Sequence, residues 1–164
     1  MIRFIVALCF GYLFLLLETA WGQGLQIGMA RVDFLVPLIA WYGFKTPLPE
    51  GLFLVLILGI LCEPFTIMAG GIYIIVLVST YFLIRYISGH VPGLRYWYKV
   101  PVVAFVAAEG HVLEMLLSGA VQYIWPWAVV QGVLAALIFP FVALILEFWE
   151  RFLSGFFDKV RMAA

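Results

Sequence analysis

The stretch Leu58–Val78 reads LGILCEPFTIMAGGIYIIVLV. An apolar run stops at Glu63 and Pro64 and resumes after Gly70 and Gly71. Such a break is either a polar site inside a membrane or the turn between two membrane helices. Proline lacks the backbone donor that a continuing helix needs, and glycine permits both a reversal and close packing of the next helix. The turn reading puts EPFTIMAGG at the outer surface, with Glu63 facing the headgroup region.

Composition sets the surroundings of that turn. The chain has 164 residues, 66% hydrophobic and 11% charged, against about 25% charged in an ordinary soluble domain. Long apolar segments recur along the whole chain, which places it among polytopic membrane proteins. Formal net charge is zero, so bulk electrostatics give no case for nucleic-acid binding. Cys9 and Cys62 both sit in apolar runs and read as small hydrophobes rather than a disulfide framework or metal cluster. The N-terminal run after Arg3 lacks a good small-x-small cleavage pattern, because Glu18 and Trp21 crowd it. It is expected to be a retained first helix, not a cleaved signal.

A hydrocarbon core about 30 Å thick takes roughly 20 helical residues. The pattern predicts an all-α bundle of six spans at about 4–20, 32–44, 51–68, 70–87, 100–117 and 126–149, within a single domain. An amphipathic cytoplasmic tail over 150–164 follows, carrying Arg151, Asp158, Lys159 and Arg161 next to Glu147 and Glu150, and is expected to lie along the membrane surface. The second and third spans are short and flank KTPLPEG (residues 45–51), a strong turn signal. They are either two tilted or broken spans or one re-entrant hairpin.

Basic residues discriminate between these. With six spans, Arg3, Lys45, Arg85, Arg95, Lys99, Arg151, Lys159 and Arg161 share one side and Arg31 stands alone on the other, eight against one. A re-entrant hairpin moves Lys45 across and gives seven against two. The positive-inside rule therefore favours six spans with both termini in the cytoplasm. Aromatic residues at predicted span ends, Trp41, Tyr42, Tyr96–Tyr98, Trp125 and Trp127, suit the headgroup layer. The longest polar connection is SGHVPGLRYWYK, Ser88–Lys99.

No phosphate loop, Cys-x-x-Cys, H-E-x-x-H or G-x-S-x-G run occurs in the sequence. The dense polar cluster is AEGHVLEM in the fifth span, with Glu109, His111 and Glu114. Ionisable groups inside a span are functional candidates. His111 and Glu114 lie one turn apart on one face, whereas Glu109 lies about 140° from Glu114. An interior hydrogen-bond network or a partner contact is favoured over a cation or proton site, and two His/Glu ligands do not make a metal site. Glu18 and Asp33, at the ends of the first and second spans, read as exposed carboxylates with no special role. Ala104, Ala107, Ala108 and Gly110 in the fifth span, and Gly132, Ala135 and Ala136 in the sixth, permit close helix approach, first of all within the bundle.

Two motifs together resemble the rod shape-determining MreD family. One is a proline opening the second span, then PEGLFLVLILGILCEP, then GG and a hydrophobic helix, with Pro37, Gly51, Gly59, Glu63 and Gly71 in the family's places. Glu63 stands where aspartate is more usual. The other is the last span, YIWPWAVVQGVLAALIFPFVALI, with a polar Gln131 and then Pro140 inside it. Length, six spans and cytoplasmic termini are similar across nearly the whole chain. The resemblance implies a fold like the substrate-binding S components of energy-coupling transporters. It also implies a non-enzymatic scaffold in the bacterial inner membrane, needing no cofactor. Its implied partners are an MreC-like bitopic protein, the MreB cytoskeleton, a RodA-type polymerase and a class B penicillin-binding transpeptidase. The alternative is a vitamin-uptake subunit of the S-component kind, with Glu18, Trp21, Asp33 and Glu63 lining an outward pocket. A third reading, an intramembrane enzyme using Glu109, His111 and Glu114, has the least support.

Overall fold

The computed structural model describes residues 2–21, 26–27, 30–65, 71–90, 96–119 and 124–163. Among them are six α-helices: α1 (Ile2–Trp21), α2 (Leu35–Lys45), α3 (Leu48–Cys62), α4 (Ile72–His90), α5 (Tyr96–Ser118) and α6 (Ile124–Ala163). A two-residue antiparallel ladder of β1 (Gln26–Ile27) and β2 (Ala30–Arg31) joins α1 to α2, pairing Gln26 with Arg31. Nothing in the sequence pattern marks this ladder, which is too short to show an alternation of period two.

Four helices are long and apolar enough to cross a membrane: Arg3–Ala20, Ile72–His90, Trp97–Ser118 and Ile124–Phe156. The chain is an all-helical membrane protein. The other two helices, α2 with 11 residues and α3 with 15, rise only about 16 Å and 22 Å. Every residue of α2 from Leu35 to Gly43 is buried. A helix wrapped in protein on all sides need not match the thickness of the lipid, because its neighbours and not the acyl chains surround its backbone.

Contacts fix the direction of each helix. Glu18, near the end of α1, meets the amide of Phe34, and Arg3, at its start, meets the carbonyl of Lys45 at 3.4 Å, so α1 and α2 are antiparallel. Tyr73 lies by Asp33 and Arg85 by Gly43, so α4 runs parallel to α2. In α3, Gly51 packs on Tyr81 and Gly59 on Ile74, opposite in sense to α4. Lys99 lies over the Phe44 ring and Gly110 against Thr80, so α5 descends beside α4. Gly132 packs on Ala104 and Ala108, and Glu147 reaches Lys45 at the end where Lys99 lies, so α6 runs opposite to α5. Direction thus alternates through all six helices. The junction of α2 and α3 lies level with the first turn of α1.

The expected turn at KTPLPEG is narrower in the structure. Only Thr46 and Pro47 leave the helical conformation, with ψ 151° and 157°. Pro49, Glu50 and Gly51 already belong to the first turn of α3, where a proline's missing N–H has no partner to lose. Likewise α4 runs to His90 and α5 starts at Tyr96, so helix invades both ends of the expected Ser88–Lys99 connection. Residues 91–95 lie outside the described residues. The helix α6 is continuous over 40 residues, about 60 Å, and includes the expected tail as far as Ala163. The side chains of that tail beyond Phe156 lie outside the described residues.

The core sits where α2, α4 and α6 meet, with Leu38, Tyr42, Tyr81, Ile84, Phe139 and Leu146 each 1% exposed or less. Gly51 is needed there. A Cβ would overlap the Tyr81 hydroxyl, which donates to the carbonyls of Pro47 (3.4 Å) and Leu48 (3.2 Å).

Candidate functional site

The polar groups fall into three places along the bundle axis. At one end, four cations converge on the C-terminus of α2. Arg85 Nη1 donates to the Gly43 carbonyl at 3.1 Å and Arg3 Nη1 to the Lys45 carbonyl at 3.4 Å. Lys45 Nζ sits 4.6 Å from the Trp41 ring centroid and Lys99 Nζ 5.3 Å from that of Phe44. A helix C-terminus carries unsatisfied carbonyls and partial negative charge, so cations gather there. Glu147 and Glu150 of α6 supply the counter-charge. Lys45 Nζ lies 2.9 Å from Glu147 Oε1 and 3.6 Å from Glu150 Oε2, and Arg3 pairs with Glu150. The sequence put Arg3, Lys45, Arg85 and Lys99 on one side without showing that they share one helix end.

At the opposite end, two carboxylates cap the start of α2. Glu18 Oε1 accepts from the Phe34 N–H at 2.7 Å. Asp33 Oδ1 accepts from the N–H groups of Leu35 (2.8 Å) and Val36 (3.2 Å). The first amides of a helix have no intrahelical partner, and here acidic side chains reach them from two directions. Asp33 is buried, 6% exposed. Their places at the ends of spans predict exposed carboxylates for both. The finding is that both hold structure.

Midway lies the cluster on α5. The structure brings His111 and Glu114 together, with Nδ1 and Oε2 3.7 Å apart and their side chains 4% and 14% exposed. It places Glu109 on another flank, as helical spacing requires. One carboxyl oxygen of Glu109, Oε2, is buried without a hydrogen-bond partner, as is Nε2 of His111. Thr80 Oγ1, on α4, is in the same condition; a Cβ on Gly110 would lie 3.2 Å from it. Sequence reading missed Thr80, which is one hydroxyl in an apolar helix and gives no signal until Gly110 brings α5 against it. No group of three or more His, Cys, Asp or Glu able to hold a metal ion occurs among the described residues.

The residues of the two family-like motifs serve the packing. Pro37 is buried in the first turn of α2. Gly59 lets α3 approach α4 closely, since a Cβ there would stand 3.3 Å from Ile74 Cα. Glu63 follows α3 and opens the 3-10 turn Glu63–Phe65. Gly71 takes φ +92°, a left-handed conformation that glycine adopts without steric cost, immediately before α4. Gly70 lies outside the described residues. Gln131 is buried, 5% exposed, and Pro140 sits inside α6 without ending it. The small residues of α5 and α6 meet one another: a Cβ on Gly132 would come within 2.6 Å of the Ala104 carbonyl oxygen. No protein-family description, curated protein or solved structure matches this chain.

Proposed function

We propose that this chain is a non-enzymatic scaffold of the MreD kind in the bacterial inner membrane. In this reading it crosses six times with both termini in the cytoplasm. It holds an MreC-type bitopic protein beside a RodA-type polymerase and a penicillin-binding transpeptidase, and so serves rod-shape maintenance. The observation that carries the reading is the use of the carboxylates at the end opposite the cations. A small-molecule pocket needs polar groups left over for its ligand. Glu18 and Asp33, which the vitamin-uptake alternative would use, instead hold the backbone amides of α2.

Charge supports the orientation. Arg3, Lys45, Arg85 and Lys99 meet at one end, which is the cytoplasmic end under the positive-inside rule. The alternating directions of α2 and α3 support two crossings in place of a shallow hairpin, because their junction reaches the depth of Arg3.

The test is affinity purification of the tagged chain from its native membrane in mild detergent, followed by mass spectrometry. A bitopic protein with a large periplasmic coiled coil, or a wall synthase, is the expected co-purifying partner. Recovery of ATPase subunits with a coupling membrane protein would instead assign the chain to vitamin uptake. A Glu114→Ala variant is expected to keep the partner, since Glu114 pairs with His111 inside the bundle.

A further inference from the structure

The bundle ends at different depths on its two sides. On the α3 side, Gly59 packs on Ile74, which sets Cys62, the last residue of α3, level with the start of α4. At the other end Gly51 packs on Tyr81, whose hydroxyl donates to the carbonyls of Pro47 and Leu48, and Arg85 reaches the Gly43 carbonyl. The α2–α3 turn is therefore level with Tyr81 and Arg85. From Arg85 α4 runs on to His90, about 8 Å past the turn. The last helix goes further still. Glu147 meets Lys45 at the turn, and α6 continues from there to Ala163, about 24 Å.

The apolar belt follows the same slant. On α3 it lies between Glu50, exposed in the first turn, and Glu63, directly after Cys62, and measures about 20 Å. Phe53, Leu56 and Ile60 are its exposed side chains. On α6 the apolar span is Ile124–Phe156, 33 residues, or about 50 Å. Phe148, Phe152 and Phe156 are exposed, so apolar rings continue about 14 Å beyond Glu147 and the turn.

No flat bilayer suits both sides. With its cytoplasmic surface at the turn, Phe152 and Phe156 stand in water. With that surface at Phe156, Lys45, Glu50 and Arg85 lie about 14 Å below the headgroups, where charged groups are costly. Arg85 is half-buried, donates to the Gly43 carbonyl and forms no ion pair with a carboxylate among the described residues. A bilayer meets a short apolar stretch by thinning beside it, at modest cost per ångström.

We propose that the α2–α3 side of the bundle is a lipid-binding surface that holds a thinned patch of the cytoplasmic leaflet. Phospholipid headgroups sit on the turn between Lys45 and Glu50, with their phosphates toward Arg85, while the leaflet keeps its full depth around α6. The patch rests on the six crossings of the scaffold reading, which bring the turn to the cytoplasmic face.

The test measures depth with spin labels on single cysteines, Leu48→Cys, Phe53→Cys and Phe152→Cys, in a chain whose Cys9 and Cys62 are replaced by alanine. The labelled chains are reconstituted in vesicles of dioleoyl phosphatidylethanolamine and phosphatidylglycerol. Oxygen gathers among acyl chains and a nickel chelate stays in water, so the ratio of their effects on the label reports depth. All three side chains are exposed, and each variant should elute from a sizing column in detergent as the parent does. The oxygen-to-nickel ratio should rise from Leu48→Cys to Phe53→Cys. It should also be higher at Phe152→Cys than at Leu48→Cys, although Phe152 lies further toward the cytoplasm along the bundle. A flat bilayer at any depth reverses that second order, and a reversed order overturns the proposal. So does a label at Leu48 or Phe53 shielded from both reagents, which would mean that protein and not lipid covers α3. If the ratios come out as expected and the tagged chain recovers ATPase subunits, the lipid surface stands and the scaffold reading falls. If a wall synthase co-purifies and the order is reversed, the scaffold reading stands and the lipid surface falls.

Discussion

Lys45 Nζ and Glu147 Oε1, 102 residues apart in the chain, lie 2.9 Å from one another. The pair ties the C-terminal end of the short helix α2 to α6, and Glu150 extends the tie to Arg3 of α1. Both side chains are partly shielded, at 24% and 33% exposure. Removing one partner leaves a half-desolvated charge, at a cost of about 1–2 kcal/mol. Lys45→Met should lower the thermal unfolding midpoint in detergent, and so should Glu147→Leu. The double variant should lose less than the sum of the two, since residues in one ion-pair network couple. Strict additivity would show that the bridge contributes nothing.

Close approach of α5 and α6 gives a sharper contrast. A Cβ on Gly132 meets the Ala104 carbonyl oxygen at 2.6 Å, and a backbone atom cannot rotate away. Gly132→Ala should therefore push the helices apart and cost about 1–3 kcal/mol. Gly89, in α4, has nothing within 4 Å of its notional Cβ. Gly89→Ala should be neutral or stabilising by up to about 1 kcal/mol, because alanine is the better helix former. Unfolding midpoints of the two variants, measured in the same detergent, check the ranking.

Much of this arrangement is legible in the sequence, and the missing part has one cause. Apolar run length and prolines locate the helices, because both act through the local backbone. Pro47 ends α2 as its chemistry requires. Pro49 looks like a second breaker, yet it falls in the first turn of α3, and that position depends on where the previous break lands. Helical arithmetic separates Glu109 from Glu114, and the structure agrees. Which neighbour each faces is set by Gly110 against Thr80, a contact between distant segments. The same holds for Glu18 and Asp33. As isolated carboxylates at span ends they look solvated, and only the fold brings amides of α2 to them.

The capping carboxylates give a test that separates scaffold from uptake subunit. Asp33→Ala removes an acceptor from two amides at the start of α2 and should cost about 1–2 kcal/mol. Asp33→Asn keeps a side-chain oxygen in the same place, so stability should recover to within a few tenths of a kcal/mol. On the scaffold reading, Asp33→Asn should leave recovery of a bitopic partner unchanged. Loss of small-molecule uptake in that variant, with stability intact, would instead assign Asp33 to a ligand and favour the transporter.

Membrane sidedness tests the number of crossings. In a background with Cys9 and Cys62 replaced by alanine, single cysteines at exposed positions report the side to a membrane-impermeant maleimide. Pro49, at the start of α3, and Gly89, at the end of α4, lie toward the cationic end, whereas Pro64 and Ser118 lie toward the other. Six crossings with cytoplasmic termini require Pro64→Cys and Ser118→Cys to react from the periplasm. In that topology Pro49→Cys and Gly89→Cys react only after the membrane is permeabilised. The decisive position is Pro49. It follows an 11-residue helix whose rise of about 16 Å is roughly half the hydrocarbon thickness, so α2 reaches the cytoplasmic face only if the surrounding helices bring that face inward. On the six-crossing reading, the cations gathered on its C-terminus, Arg3, Lys45, Arg85 and Lys99, would draw water and headgroups to that depth. Pro49→Cys that reacts in intact cells, or stays unreactive after permeabilisation, would leave α2 and α3 as a re-entrant pair and reduce the crossings to four.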